Sequence, residues 1–137
     1  MSQLKIRNAL ETRLASFATS KAIPVLWENK SSIPTTSYLK AEIFKSPVRD
    51  PSIGANHRRY LGIFRVTYYC TDLNKGMGGV ESFMDDLANY FPRGLQLTKD
   101  SIVVHIEATP SQTSVGYESN YLYTSVEIYY RCDVITN

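Results

Sequence analysis

YLGIFRVTYYC, residues 60–70, is the clearest strand in the sequence and decides how the neighbouring segments are interpreted. Its residues alternate with the period of two that is typical of a strand with two different faces. One predicted face consists of Phe64, Val66, Tyr68 and Cys70. The opposite face consists of Leu61, Ile63, Arg65, Thr67 and Tyr69. Residues 38–44 alternate in the same way, so residues 38–70 are predicted to form a hairpin with a large tip.

The tip of this hairpin, KSPVRDPSIGANHRR at residues 45–59, is polar and is interrupted by proline and glycine. It is too long for a turn, and Val48 and Ile53 are its only sizeable apolar residues, so it cannot pack against itself. Ordering its roughly fifteen residues costs on the order of 1–2 kcal/mol each, which contacts outside the domain must offset. We therefore predict a projecting arm at 45–59 that is ordered by a partner such as a neighbouring subunit.

Two amphipathic helices are predicted from apolar residues at helical spacing. The first, over residues 3–19, has an apolar stripe of Ile6, Leu10, Leu14, Phe17 and Ala18. The second follows the glycines of residues 76–79 and has a stripe of Val80, Phe83, Met84, Leu87, Ala88 and Phe91. Further strands are predicted over 101–108 and 121–132. Residues 1–137 are thus predicted to form one α+β domain, a mostly antiparallel sheet with both helices on one face.

Tyrosine and arginine dominate the sheet face that the helices leave uncovered. Its predicted residues include Arg65, Tyr69, Tyr121, Tyr123, Tyr129 and Arg131. Tyrosine and arginine are enriched at the energetic centres of protein interfaces, although tyrosine also favours ordinary exposed strands. We predict an oligomer or partner interface made of this face together with the arm residues Arg49, His57, Arg58 and Arg59, whose guanidinium groups can bind carboxylates.

Composition excludes several classes of function. Fifteen basic and 13 acidic residues leave a net charge of +2, too little for a dedicated nucleic-acid binder. The first residues, MSQLKIRNALETRL, contain charges throughout and no apolar run long enough for a signal peptide or a membrane span, which predicts a cytoplasmic chain with no membrane contact. Cys70 and Cys132 are predicted to be free buried thiols rather than a disulfide.

No catalytic, metal or cofactor site is predicted. The glycines of KGMGGVE lack the spacing of a P-loop or a dinucleotide fingerprint, and the separated residues His57 and His105 do not make a metal site. His105 and Glu107 would share a strand face, where a solvated cross-strand pair explains them better than acid/base chemistry. A small ligand-binding or enzymatic domain that uses the glycine loop at 76–79 remains the alternative from another class.

Five segments, in this order and spacing, resemble a family of bacteriophage and prophage tail-terminator-like proteins. They are IPVLWEN at 23–29, YLKAEIF at 38–44, RRYLGIFRVTYY at 58–69, YFPRG at 90–94 and YLYTSVEIYYR at 121–131. The resemblance implies a subunit that assembles as a ring, hexameric in related terminators, on the end of a finished tail tube. Such a ring stops tube polymerisation and offers the docking surface for the head connector.

The resemblance also implies partners and a location. The partners would be copies of the same chain, the tail-tube protein and a head-completion or connector protein. DNA would pass through the ring without being bound specifically, and the ring would belong to the virion tail after assembly in the bacterial host cytoplasm. No catalytic residue is transferred by these segments. They also fit a head-tail connector or stopper that binds on the portal side.

Overall fold

The computed structural model of the chain describes residues 2–28, 33–34, 36–51, 56–118 and 120–135. Two helices, α1 (Ser2–Lys21) and α2 (Gly76–Tyr90), and a short 3-10 helix (Leu73–Lys75) accompany one sheet. The strands are β1 (Val25–Leu26), β2 (Tyr38–Lys45), β3 (His57–Cys70), β4 (Gln96–Lys99), β5 (Ile102–Ile106), β6 (Ser111–Gln112), β7 (Gly116–Glu118) and β8 (Tyr121–Ile135). This arrangement confirms the predicted α+β class.

The sheet is mostly antiparallel, with the strand order β1-β2-β3-β8-β5-β4, and β6 and β7 also pair with β8. Among the described strands, β1 and β2 run parallel and the other pairs are antiparallel. The centre is the long pair of β3 and β8, which extends from His57 opposite Ile135 to Cys70 opposite Leu122. The strand predicted at 60–70 therefore belongs to the central strand pair of the sheet.

The core lies between the helices and the inner face of the sheet. Phe64 faces Ile128 and Val66 faces Val126 across β3 and β8, and all four side chains are fully buried. Both helices cover this face with their apolar stripes, which include Leu10, Leu14, Val80, Met84 and Leu87. Burying a side chain of this size contributes about 1.5–3 kcal/mol, so the helical periodicity in the sequence explains why both helices dock on the same side.

Gly62 allows a close approach at the centre of β3. A Cβ atom at this position would lie 2.6 Å from the carbonyl oxygen of Phe44 and would collide with the hydroxyl group of Tyr130. The Tyr130 ring therefore occupies the space that any other residue would fill. Its hydroxyl oxygen is buried and has no hydrogen-bond partner among the described residues, and burial raises the pKa of Tyr130 to about 12.

Three strands were not predicted from the sequence. β4, β6 and β7 have only two to four residues each, too few for an alternating pattern to be recognised in the sequence. The glycines at 76–79 were predicted to precede the second helix, whereas Gly76, Gly78 and Gly79 form its first turn. Trp27 packs against the core in a partly buried position.

The predicted limits of the arm, 45–59, are wrong at both ends. Lys45 is the last residue of β2, and residues 57–59 begin β3, because β8 continues to Ile135 and supplies backbone partners for these polar residues. The β2–β3 pairing also extends beyond β2, through hydrogen bonds from Ser46 N to Leu61 O (3.0 Å) and between the backbones of Arg49 and Arg59 (2.9 and 2.7 Å). Residues 52–55, including Ile53, lie outside the described residues, so a projecting arm remains a prediction.

Candidate functional site

The candidate site is the open face of the sheet, which we define as the outward-facing residues of β2, β3 and β8 that neither helix covers. Pairing across these strands places its residues in rows: Tyr38, Tyr69 and Tyr123; Glu42, Arg65 and Glu127; Phe44, Ile63 and Tyr129. Most of these side chains are partly exposed. The structure gathers on this one face eight of the predicted interface residues, namely His57, Arg59, Arg65, Tyr69, Tyr121, Tyr123, Tyr129 and Arg131.

One end of the open face is a tyrosine cluster made of Tyr38, Tyr69, Tyr121 and Tyr123. The Tyr69 ring stacks on Tyr38 with centroids 5.0 Å apart and on Tyr123 with centroids 6.0 Å apart. The Tyr121 ring meets Tyr38 and Tyr69 edge-on at 6.4 and 6.1 Å. Gly116 in β7 makes room for this packing, because a Cβ atom there would lie 2.5 Å from the Tyr123 ring. The rings hold one another in place, which gives a rigid aromatic surface.

The tyrosine cluster lies in an acidic setting. The pKa of Tyr69 is raised, first by burial and then by the carboxylates of Glu42 and Glu118, and burial is also the main cause that raises the pKa of Tyr38. Both phenols are therefore neutral hydrogen-bond donors at physiological pH. Neither Glu42 nor Glu118 belongs to a salt bridge within the described part of the chain.

The middle of the open face is fixed by polar contacts across β3 and β8. The Arg65 guanidinium donates two hydrogen bonds to Oε2 of Glu127, at 2.6 and 3.1 Å, and lies 4.7 Å from the centre of the Phe44 ring. Next to it, the hydroxyl groups of Thr67 and Ser125 are 2.8 Å apart. Arg65, predicted as an interface residue, is thus held in one conformation before any partner arrives.

The other end of the open face is an aspartate cluster, in which the Asp133 carboxylate contacts His57, Arg59 and Arg131. Asp133 Oδ1 lies 2.8 Å from Arg59 Nε and 3.1 Å from His57 Nε2, and Asp133 Oδ2 lies 3.1 Å from Arg131 Nε. Burial acts to raise the pKa of Asp133, but hydrogen bonds from Arg59 and His57 and the charges of Arg59 and Arg131 outweigh it and lower the pKa. The carboxylate is therefore ionised. It orients His57 and Arg59 through hydrogen bonds, whereas Arg131 Nε makes no hydrogen bond among the described residues and is attracted by charge alone.

Sequence reasoning missed Asp133 because the last strand was predicted to end at Cys132. The available signal was its position two residues after Arg131, which places both side chains on the same face of a strand. The two hydrogen bonds from Arg65 to Oε2 of Glu127 depend on the strand register, which the sequence did not reveal.

Arg49 and Arg58 are the other two predicted interface residues. Arg49 lies beyond the end of β2, opposite Arg59, whereas Arg58 lies on the other side of β3 from Arg59. Both are exposed, and together with the exposed Lys45 they form what we call the cationic tip, in which these three cations outnumber the one exposed carboxylate beside them, Asp50. None of these three side chains takes part in a salt bridge between described residues. The cationic tip and the acidic tyrosine cluster therefore lie at opposite ends of the β2–β3 pair.

The structure places His105 and Glu107, the two residues considered for acid/base chemistry, in one surface pocket. His105 lines a surface pocket of about 260 Å³ with Arg93, Gly94, Gln96, Ile106, Glu107 and Arg131. The Glu107 carboxylate pairs with Arg131 at 3.5 Å. Within the described ranges, no group of three or more His, Cys, Asp or Glu residues is placed to hold a metal ion.

The two cysteines are free and fully buried, and burial raises the pKa of Cys132 to about 11. Both thiols are therefore shielded from solvent in the folded chain. As for membranes, none of the helices in the described residues has the length and apolar content needed to cross a bilayer.

Comparison with known proteins gives one family and one fold. The sequence profile of the family described as phage tail terminator protein matches residues 5–130. No curated protein matches the chain significantly. Four chains of solved structure do match it. One of them, 26% identical in sequence, has a TM-score of 0.76, and the match covers 100% of this chain and 98% of that one.

Proposed function

Because the chain belongs to the phage tail terminator protein family, and thus has a structural role in the phage tail, we propose that it caps the tail tube as a ring. The ring ends tail polymerisation and presents the surface to which the head is joined. Its partners are other copies of the chain, the tail-tube protein and a head-completion protein. Six copies, as in the related terminators that the sequence resembles, would close the ring.

The observation that supports this proposal is the open face of the sheet. Its tyrosine rings stack on one another, and its arginines are held by Glu127 and Asp133, so few side chains lose freedom when a partner binds. Rigid tyrosine and arginine side chains are the residues that dominate the energy of protein interfaces. A subunit that leaves such a face uncovered on one side of its sheet is suited to assembly.

Ring closure accounts for termination. When the contact between subunits joins two different surfaces, repeated association gives a closed ring or an open filament, depending on the rotation between neighbours. A closed ring leaves neither surface free to add another copy. Seated on the last layer of the tail tube, it covers the edge to which the next tube subunit would bind.

Shortening the predicted arm tests this proposal in infected cells. Ser46 pairs with Leu61, so a connection from Ser46 to His57 must run back along four residues of β3, about 13 Å, which needs at least about four residues. Residues 47–56 are therefore replaced by a Gly/Ser linker of about five residues.

We expect this variant to keep the wild-type thermal midpoint, to fail to assemble, and to give tails of uncontrolled length in electron micrographs. Restoring residues 47–56 in the same genetic background is the matched control and should restore normal lengths. Tails of normal length from the shortened variant would rule out a role for the arm in termination.

A further inference from the structure

Residues 46–51, with the sequence SPVRDP, form a segment suited to docking on another surface. All six residues are exposed, and Val48 is 44% exposed. Pro47 and Pro51 restrict the residues before them to extended conformations, so little freedom remains to be lost on binding. The segment offers an apolar side chain and, at Arg49, a guanidinium without an ion pair in the described part of the chain.

The tyrosine cluster has the complementary chemistry. Surfaces lined with aromatic rings bind extended proline-containing segments, and ring faces attract guanidinium groups. The hydroxyl groups of Tyr69, Tyr121 and Tyr123 make no hydrogen bond to another described residue and can donate to backbone carbonyls. The carboxylates of Glu42 and Glu118 make this end of the open face acidic, with Lys40 as the one cation on the same strand face of β2 beside them.

The segment cannot reach the tyrosine cluster of its own subunit. Its backbone is bonded to β3 at Leu61 and at Arg59, and Arg59 is ten residues from Tyr69 along β3, about 33 Å of extended chain. A contact between the two must therefore join different copies. Because the surfaces differ, each copy uses both of them, which is the head-to-tail association that closes into rings.

We propose that residues 46–51 of one subunit dock on the tyrosine cluster of the next, with Arg49 between the rings and Glu118. This inference rests on the ring of the proposed function and identifies the contact that builds it. The cationic tip meets the acidic end of the neighbouring open face, so opposite charges select the register in which the two copies meet.

Charge reversal tests the contact. Arg49→Glu and Glu118→Arg each change an exposed residue, and each should weaken assembly at least tenfold in sedimentation velocity, with tail-tube protein added in parallel samples. An equimolar mixture of the two variants should assemble again, because alternating copies restore an opposite-charge pair at every contact. Native mass spectrometry should then find both chains in each ring. The chain with both changes should also assemble by itself.

The control is Arg93→Glu, the same change at an exposed arginine in the turn between α2 and β4, which should assemble as the wild type does. Rescue on mixing shows that the single variants are folded. The proposed contact would be overturned if the single variants assembled normally. It would also be overturned if the mixture and the double variant assembled as weakly as the single variants. Neither result would contradict the proposal that the chain forms a ring. A wild-type chain that stays monomeric with and without tube protein would overturn the ring, and this contact with it.

Discussion

Replacing Asp133 by asparagine is predicted to destabilise the subunit, because Asp133 balances the positive charge at one end of the open face. Its carboxylate lies 2.8 Å from Arg59, 3.1 Å from His57 and 3.1 Å from Arg131. Asparagine keeps the size of the side chain and one oxygen acceptor but removes the negative charge. The two arginines would then remain on the same face without the charge that now lies between them.

The expected loss of stability is small because Asp133 and its partners are partly exposed to solvent. The Asp133 side chain is 26% exposed and its partners are 22–36% exposed, so solvent screens each pair. A partly exposed pair contributes about 0.2–1 kcal/mol, and three pairs that share one carboxylate do not add fully. We expect a loss of about 1–2 kcal/mol in the free energy of unfolding. For a chain of this length that corresponds to a midpoint lowered by roughly 3–8 °C.

The pH dependence of the stability difference shows whether the charge of the Asp133 carboxylate causes it. The pKa of Asp133 is lowered in the folded state, so its stabilisation is fully present above the ordinary carboxyl pKa and is lost as the pH falls through the lowered one. Urea unfolding should therefore show the full difference between wild type and Asp133→Asn at about pH 7 and a smaller one at about pH 3. Added salt should reduce the difference at neutral pH.

Asp86→Asn is the matched control, because Asp86 forms a single pair with Lys21 at 3.0 Å and is 53% exposed. It should change stability by less than about 0.5 kcal/mol. Equal stability of wild type and Asp133→Asn at neutral pH, or a difference that does not depend on pH, would refute the reasoning about the aspartate cluster.

Three further predictions concern the interior. Gly62→Ala should destabilise the chain by about 2–4 kcal/mol in urea unfolding, because its Cβ atom meets Phe44 O and the Tyr130 hydroxyl group; an unchanged midpoint would disprove that close approach. Tyr130→Phe should change stability by less than about 0.5 kcal/mol or increase it, since the lost hydroxyl group is buried and has no hydrogen-bond partner within the described ranges; a loss above about 1 kcal/mol would reveal a hidden hydrogen bond. Cys70 and Cys132 should react with a thiol reagent at neutral pH only as fast as the chain unfolds, and rapid labelling of the native protein would contradict their burial.

Much of the fold could be predicted because burial imposes a period on the sequence. The alternation over 60–70 identified the central strand, and the stripes at Leu10 and Leu14 and at Met84 and Leu87 identified the helices that cover it. These segments are long enough for the apolar period to be seen. The strands β4, β6 and β7 are too short for such a period to be recognised, and the structure shows them paired with β5 or β8.

The open face shows where sequence reasoning stops. Alternation placed Arg65, Tyr69 and Tyr123 on one side of the sheet, but only the register of β3 and β8 shows that the two tyrosines stack and that Arg65 is bound to Glu127. The same register extends β3 to His57, because a strand continues as long as its neighbour offers backbone partners. The arm prediction was therefore too long, since polar composition alone could not distinguish a loop from a paired strand end.

Cryo-electron microscopy of growing tail tubes, to which the purified chain has been added, tests most directly whether the chain caps the tube as a ring. We expect one closed ring of six copies on a single end of each tube, and no further lengthening of tubes that have the ring. Tubes that continue to grow in the presence of the chain, or chains bound along the tube wall with bare ends, would contradict it.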